Sequence, residues 1–338
     1  MPFLARISPF LVCLISILLL GASPAIAAPK YLFKIGSLAP EGSVWTQRFR
    51  EFSKEVEEKS NGEVGFKVYP GGVMGDDLAM YRKMRVGQLH GGGFTMTGIG
   101  SVVPDFRVMG IPFLFRSYEE VDHVRSGLMP SFNRAFAEQG MECIALTEVG
   151  FIYTMSTGPI TTVAKLRKSS CWTPDNDPLS ASFLQTLGVA PTPLAIPDVL
   201  TSLQTGLVST VFNSLYGSIV LQWFTKATYI TDMPFGYAYG VFLLDRKAFS
   251  RLPASHASLV RATADKYFGA LLTETRKSND EARRVLAENG VVMVAPAADA
   301  LAELQDIRDR TVAKVTGTAF SGAIYDETMR LLNEYRKR

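Results

Sequence analysis

The stretch SSCWTPDNDP (residues 169–178) places Trp172 two residues before Pro174, ahead of polar residues that turn the chain. A buried indole covers ~150–250 Å² and keeps one N–H donor. Trp172 therefore suits a stacked ring, or a cation above its face, and it suits a domain core equally well. Thr95 and Thr97 alternate along GGGFTMTG (residues 91–98), a spacing that turns both hydroxyls to one face of a strand. The triplet Gly91, Gly92 and Gly93 allows close backbone approach or a plain turn. Bond-making chemistry has little to work with. There is no G-x-S-x-G, Ser-x-x-Lys or H-E-x-x-H stretch. His90, His123 and His256 share no metal-ligand spacing. His123 and His256 fall on charge-rich helical stretches, where solvated side chains are expected, and His90 on a helix-to-strand loop, where a structural role is. GIGSVV, from Gly98, has two glycines of a dinucleotide fingerprint and lacks the third. The expectation is a protein that is not an enzyme and carries no cofactor or metal.

The 338 residues are 47% hydrophobic and 20% charged, with a net charge of +3. That is globular composition, long enough for two domains. The cations are interspersed with acids and form no basic block, so a nucleic-acid partner is not expected. The N-terminus, MPFLARISPFLVCLISILLLGASPAIA, has Arg6, an apolar run over 11–20 and the triplet Ala25-Ile26-Ala27. This pattern predicts a secretory signal, residues 1–27, cleaved after Ala27. A membrane anchor is the competing reading, but the run is about half the ~20 residues a spanning helix needs. Cys13 lacks the small residue that a lipoprotein signal requires before its cysteine. A soluble, exported, periplasmic protein is the expectation. Cys143 and Cys171 remain after cleavage; in an oxidising compartment they pair or stay as buried thiols, and sequence spacing does not choose.

Apolar runs alternate with amphipathic helical stretches, which argues an α/β fold. KYLFKIGSLA, EVGFKVYP, LHGGGFTMT and MECIALTEV read as strands. TQRFREFSKEVEEKS reads as a helix ended by Asn61-Gly62, and DDLAMYRKMRVG as a short helix with Asp76 and Asp77 at its favourable end. SYEEVDHVRSGL and PSFNRAFAEQG read as two helices. FIYTMST opens the second half, followed by helices at LSASFLQTLG and IPDVLTSLQTG, the strand LVSTVFNS and a long strand, GYAYGVFLLD, able to cross between lobes. Residues 254–289 form one helical pattern, read as a single brace across two lobes or as two helices broken near Lys277-Ser278. VVMVAP and two further helices close the chain.

Three blocks in order carry a family resemblance: EEKSNGEVGFKVYPGGVMGDD, VPDFRVMGIPFLFRSYEEV and LGVAPTPLAIPDVLTSLQTGLV. With them, over about residues 30–334, the chain resembles the solute-binding proteins of tripartite ATP-independent periplasmic (TRAP) transporters, the DctP type. The resemblance implies a type II-like two-lobe periplasmic binding protein with crossing strands and a long helix spanning both lobes. It implies lobe I at 28–148 plus about 235–268, and lobe II at 149–234 plus about 269–338. A small-molecule ligand would bind between the lobes, closure would follow, and the closed form would dock on membrane permease subunits.

The pattern breaks where relatives clamp a carboxylate. Their arginine in a "Lys-Ile-Arg-x-Pro" strand, suited to a carboxylate by its planar fork, corresponds here to Trp172 in KLRKSSCWTP. A second arginine, in a "Gly-Phe-Arg" step, corresponds to Ile152 in Gly150-Phe151-Ile152. Asn213 matches an asparagine that helps to hold the ligand in relatives. Trp45 lies where the family's cleft begins; Thr97, Phe151, Tyr216 and Tyr237 complete the candidate ligand-binding set, with Phe113 expected in the core and Asp198 expected to cap a helix. The expected ligand is neutral or largely hydrophobic, with an aromatic ring as one option. Two alternatives stay open: an organic-acid receptor with a relocated cation (Arg107, Arg116, Arg167 or Lys168), and a ligand-free scaffold or sensory module on the same fold.

Overall fold

The computed structural model describes residues 28–338, and the expected signal segment lies outside the described residues. Its main sheet has seven strands. β1 (Tyr31–Ser37), β2 (Val64–Tyr69) and β3 (Gly91–Thr95) are parallel, with β1 in the middle. β4 (Met141–Ser156) and β8 (Tyr229–Asp245) run antiparallel along their whole lengths, from Met141 opposite Asp245 to Ser156 opposite Tyr229. β3 pairs with the C-terminal part of β8, Thr95 opposite Gly240. β7 (Thr210–Ser214) pairs with the other end of β4, Ile152 opposite Ser214, and β9 (Val292–Val294) with the other end of β8. β5 (Trp172–Pro174) and β6 (Thr192–Leu194) make a small parallel pair of their own. The fold is thus α/β with two lobes, and β4 and β8 cross from one to the other.

The crossing is bent by bulges. The register shifts between Glu148 and Gly150 and again after Ile152; an extra residue on one strand increases local twist and bend. Gly150 has φ 105°, and a Cβ there would lie 2.7 Å from Asn279 Nδ2, so only glycine fits. Asn279, from the helix Ala254–Glu288, uses that approach. Its Nδ2 donates to Val149 O (2.9 Å), and its Oδ1 accepts from Tyr216 N (3.1 Å).

Helix Ala254–Glu288 is one unbroken helix of 35 residues. Val260, Ala264, Phe268 and Leu271 pack with Phe33, Phe52 and Phe242 in one lobe, while Ala282 and Leu286 pack with Trp223 and Val291 in the other. The brace reading is therefore the one observed. Helix Val44–Lys59 starts at Ser43, whose hydroxyl accepts from Thr46 N, and buries Thr46, Phe49, Phe52 and Val56 at helical spacing. Asn61 and Gly62, both at positive φ, lie just beyond its end.

Three local readings change. SYEEVDHVRSGL and PSFNRAFAEQG form one helix, Tyr118–Glu138, with Pro130 inside it. An interior proline forfeits a hydrogen bond, but the buried stripe Val121, Val124, Leu128, Phe132 and Phe136 runs through it without a break. FIYTMST, read as the opening of the second half, continues β4. β3 ends at Thr95, whose hydroxyl caps the short helix Met96–Ile99, so Thr97 sits on a helical turn and not on a strand. Cys143 and Cys171 are free thiols, and burial pushes them up to about 12 and about 11.

Phe52 is fully buried among Phe49, Phe66, Phe242 and Phe268. Phe52→Ala is expected to lower the unfolding free energy by about 3–5 kcal/mol, read from the shift in a urea denaturation midpoint.

Candidate functional site

Where the crossing strands meet the two lobes there is a cavity of about 230 Å³. One lobe supplies Leu38, Trp45, Phe49, Met96 and Thr97 to its wall. The other supplies Trp172, Ile196, Phe212, Asn213 and Trp223. β4 and β8 contribute Thr147, Ile152, Tyr237 and Tyr239.

Trp172 is both part of the core and part of the cavity wall. It is 4% exposed, stands edge-on to Trp223 (ring centroids 5.3 Å apart) and also lines the cavity. Its Nε1 donates to Leu194 O at 3.0 Å, across the β5–β6 pair, so the indole offers the cavity only apolar surface. Trp45 lies in the first turn of its helix, and its Nε1 donates to Glu148 O (2.8 Å). Tyr237 also lines the cavity, and its hydroxyl donates to Glu148 Oε2 (2.8 Å). Asn213, on β7, accepts from Ser214 N through Oδ1 (2.8 Å), and its NH₂ has no hydrogen-bond acceptor among the described residues. Gly217 permits this packing, since a Cβ there would lie 2.4 Å from Asn213 Oδ1. Thr97 lines the cavity, with its hydroxyl 3.2 Å from that of Thr95.

Two expected residues stand off the wall. Phe151 packs between Tyr118 and Tyr237, at 4.9 and 5.9 Å, and strand alternation gives the cavity Ile152 instead. Tyr216 backs Trp45 (5.2 Å) and accepts from Val44 N through its hydroxyl (3.0 Å). It therefore joins the two lobes and supports the wall from behind. Asp198 makes no side-chain cap, and Phe113 is core as expected.

A family model for bacterial extracellular solute-binding proteins, family 7 (DctP), matches residues 35–317. The chain belongs to the DctP family. A solute-binding protein of Roseobacter denitrificans is 28% identical over 201 residues, which are 57% of this chain and 60% of that relative. Among solved structures, a Bordetella pertussis extracytoplasmic solute receptor binding pyroglutamic acid has TM-score 0.83 at 20% identity, over 89% of this chain and 99% of that one. A TRAP periplasmic solute-binding protein from Desulfovibrio salexigens with bound orotic acid has TM-score 0.82 at 22% identity, over 90% and 98%. The DctP chain is a binding protein, not an enzyme, and no helix among its described residues is long and apolar enough to cross a membrane.

No Arg, Lys, His, Asp or Glu is among the described residues lining this DctP cavity. The cations considered as replacements are all engaged or turned outward. Arg107 is buried; its Nη2 donates to Asn176 O (2.9 Å), and its Nε lies 3.4 Å from Asp177 Oδ1. Arg167 pairs with Glu303 at 2.6 Å, and Arg116 and Lys168 are exposed. His90 Nδ1 accepts from Lys34 N, as a structural histidine does. His256 pairs with Glu63, and His123 packs against Tyr335, so neither is the fully solvated side chain expected.

A smaller pocket adjoins the cavity, sharing Leu38, Thr97, Pro174 and Ile196 with it, and it holds Asp76, Asp77 and Asp175. Asp77 accepts from Thr95 N (2.9 Å) and Thr95 Oγ1 (2.6 Å), yet burial outweighs these bonds and pushes its carboxyl from 3.8 up to about 7. Folded Asp77 thus keeps a proton that the unfolded chain has lost between pH 4 and 7, so its contribution to stability is present below pH 4 and lost as pH rises to 7. Asp77→Asn is therefore expected to gain stability relative to the natural protein over pH 4–7, by up to about 1.4 kcal/mol per unit, with a constant difference above 7. Denaturation midpoints measured across this range check the slope.

Proposed function

We propose that this protein is a periplasmic receptor for a small neutral, largely apolar solute, which it delivers to the membrane permease of a TRAP transporter. The observation that carries the ligand class is the absence of any charged side chain on the described cavity wall. A carboxylate placed there would be desolvated without a partner, and breaking a buried ion pair costs about 3–5 kcal/mol, about two to three and a half decades of affinity. The apolar faces of Trp45, Trp172 and Trp223 suit a ring. The Asn213 NH₂ and the hydroxyls of Thr97 and Thr147 suit one or two acceptor or hydroxyl groups on it. Apolar cavities of about 150 Å³ accept benzene, so about 230 Å³ suits an occupant of one ring with small substituents.

The similar proteins named above were solved with acids, and this reading sets the present chain apart from them by ligand charge. An organic-acid receptor would need a cation that the wall does not present. A scaffold would fill its cleft with its own side chains, and the cavity favours a receptor. Export fits the signal pattern of residues 1–27. We place the lobes at 28–148 with about 235–268, and at 149–234 with about 269–311, on either side of the bulged crossing. Residues 312–338 join the first lobe and not the second, where the sequence reading put them, since Phe320, Ile324 and Leu332 pack with Phe106, Val121 and Phe132, and Arg336 pairs with Glu120.

Native mass spectrometry of protein taken from periplasm without refolding is expected to show a bound neutral compound; a bound organic acid would overturn the ligand class. Asn213→Ala is expected to weaken binding of that compound by about 2- to 12-fold, the worth of one hydrogen bond of about 0.5–1.5 kcal/mol. Calorimetry measures it, and unchanged affinity removes Asn213 from the site.

A further inference from the structure

We infer that Glu148 sets the charge selectivity of the cleft, by holding two arginines in a neutral cluster behind Tyr237. The inference deepens the proposed function and rests on its ligand class. Glu148 is 0% exposed, in the middle of β4 between Thr147 and Val149, which both line the cavity. Its own side chain points to the opposite face of the strand. There it accepts from Arg276 Nε (2.8 Å), Arg276 Nη2 (2.9 Å) and the Tyr237 hydroxyl (2.8 Å), with Arg125 Nη1 at 3.7 Å. Asp122 completes the group. Its Oδ2 accepts from Arg276 Nη1 (2.8 Å), while its Oδ1 accepts from Arg276 Nη2 (2.6 Å) and Arg125 Nη2 (2.7 Å).

Two guanidinium groups thus face two carboxylates, and the cluster has no net charge. Arg276, stacked over the Tyr118 ring at 4.3 Å, is held cationic by its two acidic partners. Arg125 Nη1 is buried without a hydrogen-bond acceptor, so the cluster has donors to spare. Tyr237 belongs to both, since its hydroxyl bonds to Glu148 and the residue lines the cavity. Glu148 also fixes the wall on its other side, since its backbone carbonyl takes the Trp45 indole N–H. One acid therefore orients two wall residues and cancels the positive charge lying behind them. Replacing it by its uncharged isostere leaves a net charge of +1 next to an apolar cavity, where low polarity strengthens any field.

Tryptophan fluorescence reads this charge without a known ligand. The chain has three tryptophans. Trp172 and Trp223 are 4% and 1% exposed, whereas Trp45 is half-buried and lines the cavity. Quenching by iodide, an anion, and by acrylamide, a neutral molecule, is compared at constant ionic strength. Glu148→Gln is expected to raise the iodide-to-acrylamide ratio of quenching constants about threefold or more with acrylamide quenching unchanged. Asp122→Asn, on the solvent side of the cluster, is expected to move the ratio the same way by less, and it carries the test if Glu148→Gln does not fold. Glu142→Gln, at the surface pair with Arg261, is the control and should leave the ratio unmoved. An unchanged ratio in the folded variants overturns the inference, as does a parallel rise of both quenchers, which would show only that the cavity had opened. A bound organic acid in the natural protein would instead overturn the proposed ligand class, and the quenching ratio would still stand or fall by itself.

Discussion

The antiparallel pairing of β4 with β8 is the constraint on which the rest of the molecule depends. These two strands belong to both lobes at once, each lobe adding its own neighbours to one end of the pair. The cavity sits at this shared ladder, so its floor is made by residues whose positions neither lobe sets alone. The bulges between Glu148 and Ile152 put the bend of the ladder at the cavity. Any change in the angle between the lobes must pass through that bend and along helix Ala254–Glu288, whose Asn279 is bonded to the bulge itself. The two lobes are in this way joined by continuous strands and one helix, not by a flexible linker.

The apolar character of the cavity follows from how its aromatic residues satisfy their polar tips. A buried donor left unpaired costs about 1–3 kcal/mol. Trp172 and Trp45 spend their N–H groups on the carbonyls of Leu194 and Glu148, Tyr237 spends its hydroxyl on the Glu148 carboxylate, and Tyr239 spends its own on Phe106 O. What these four residues leave toward the cavity is apolar surface. The few polar groups left over, chiefly the Asn213 NH₂, are then the ones able to orient a solute.

Charge is arranged around the site and not in it. The pair Arg107–Asp177 is buried where the loop after helix Met96–Ile99 meets the segment that follows Trp172. The Arg125–Arg276–Glu148–Asp122 cluster lies behind Tyr237. Both join segments distant in sequence, and both balance their charges locally. The adjoining pocket, with Asp76, Asp77 and Asp175, likewise offers an anion no cationic partner among the described residues.

Much of this was legible in the sequence because it is encoded locally. The strands and helices follow from periodicity, and several of their ends from Asn61-Gly62, Asp76 and Gly206, which act within one turn of their own backbone. The family resemblance was likewise readable from ordered blocks of residues. The continuity of β4, the single helix through Pro130, the turn at Thr97 and the exchange of Phe151 for Ile152 at the wall were not. Each depends on which distant surface a segment packs against, and that outweighs local preference. Glu148 gave one signal, an acid inside an apolar strand, MECIALTEVGF. Its cationic partners lie 23 residues before it and 128 after it in the chain (Arg125 and Arg276), and Tyr237 comes from the neighbouring strand. Periodicity carries no information across such separations. By itself the sequence determined the elements, the family and the residue types available to a cleft. Only the tertiary structure decided which of them face the cavity and which cancel one another's charge, because facing and pairing are properties of segments brought together by the fold.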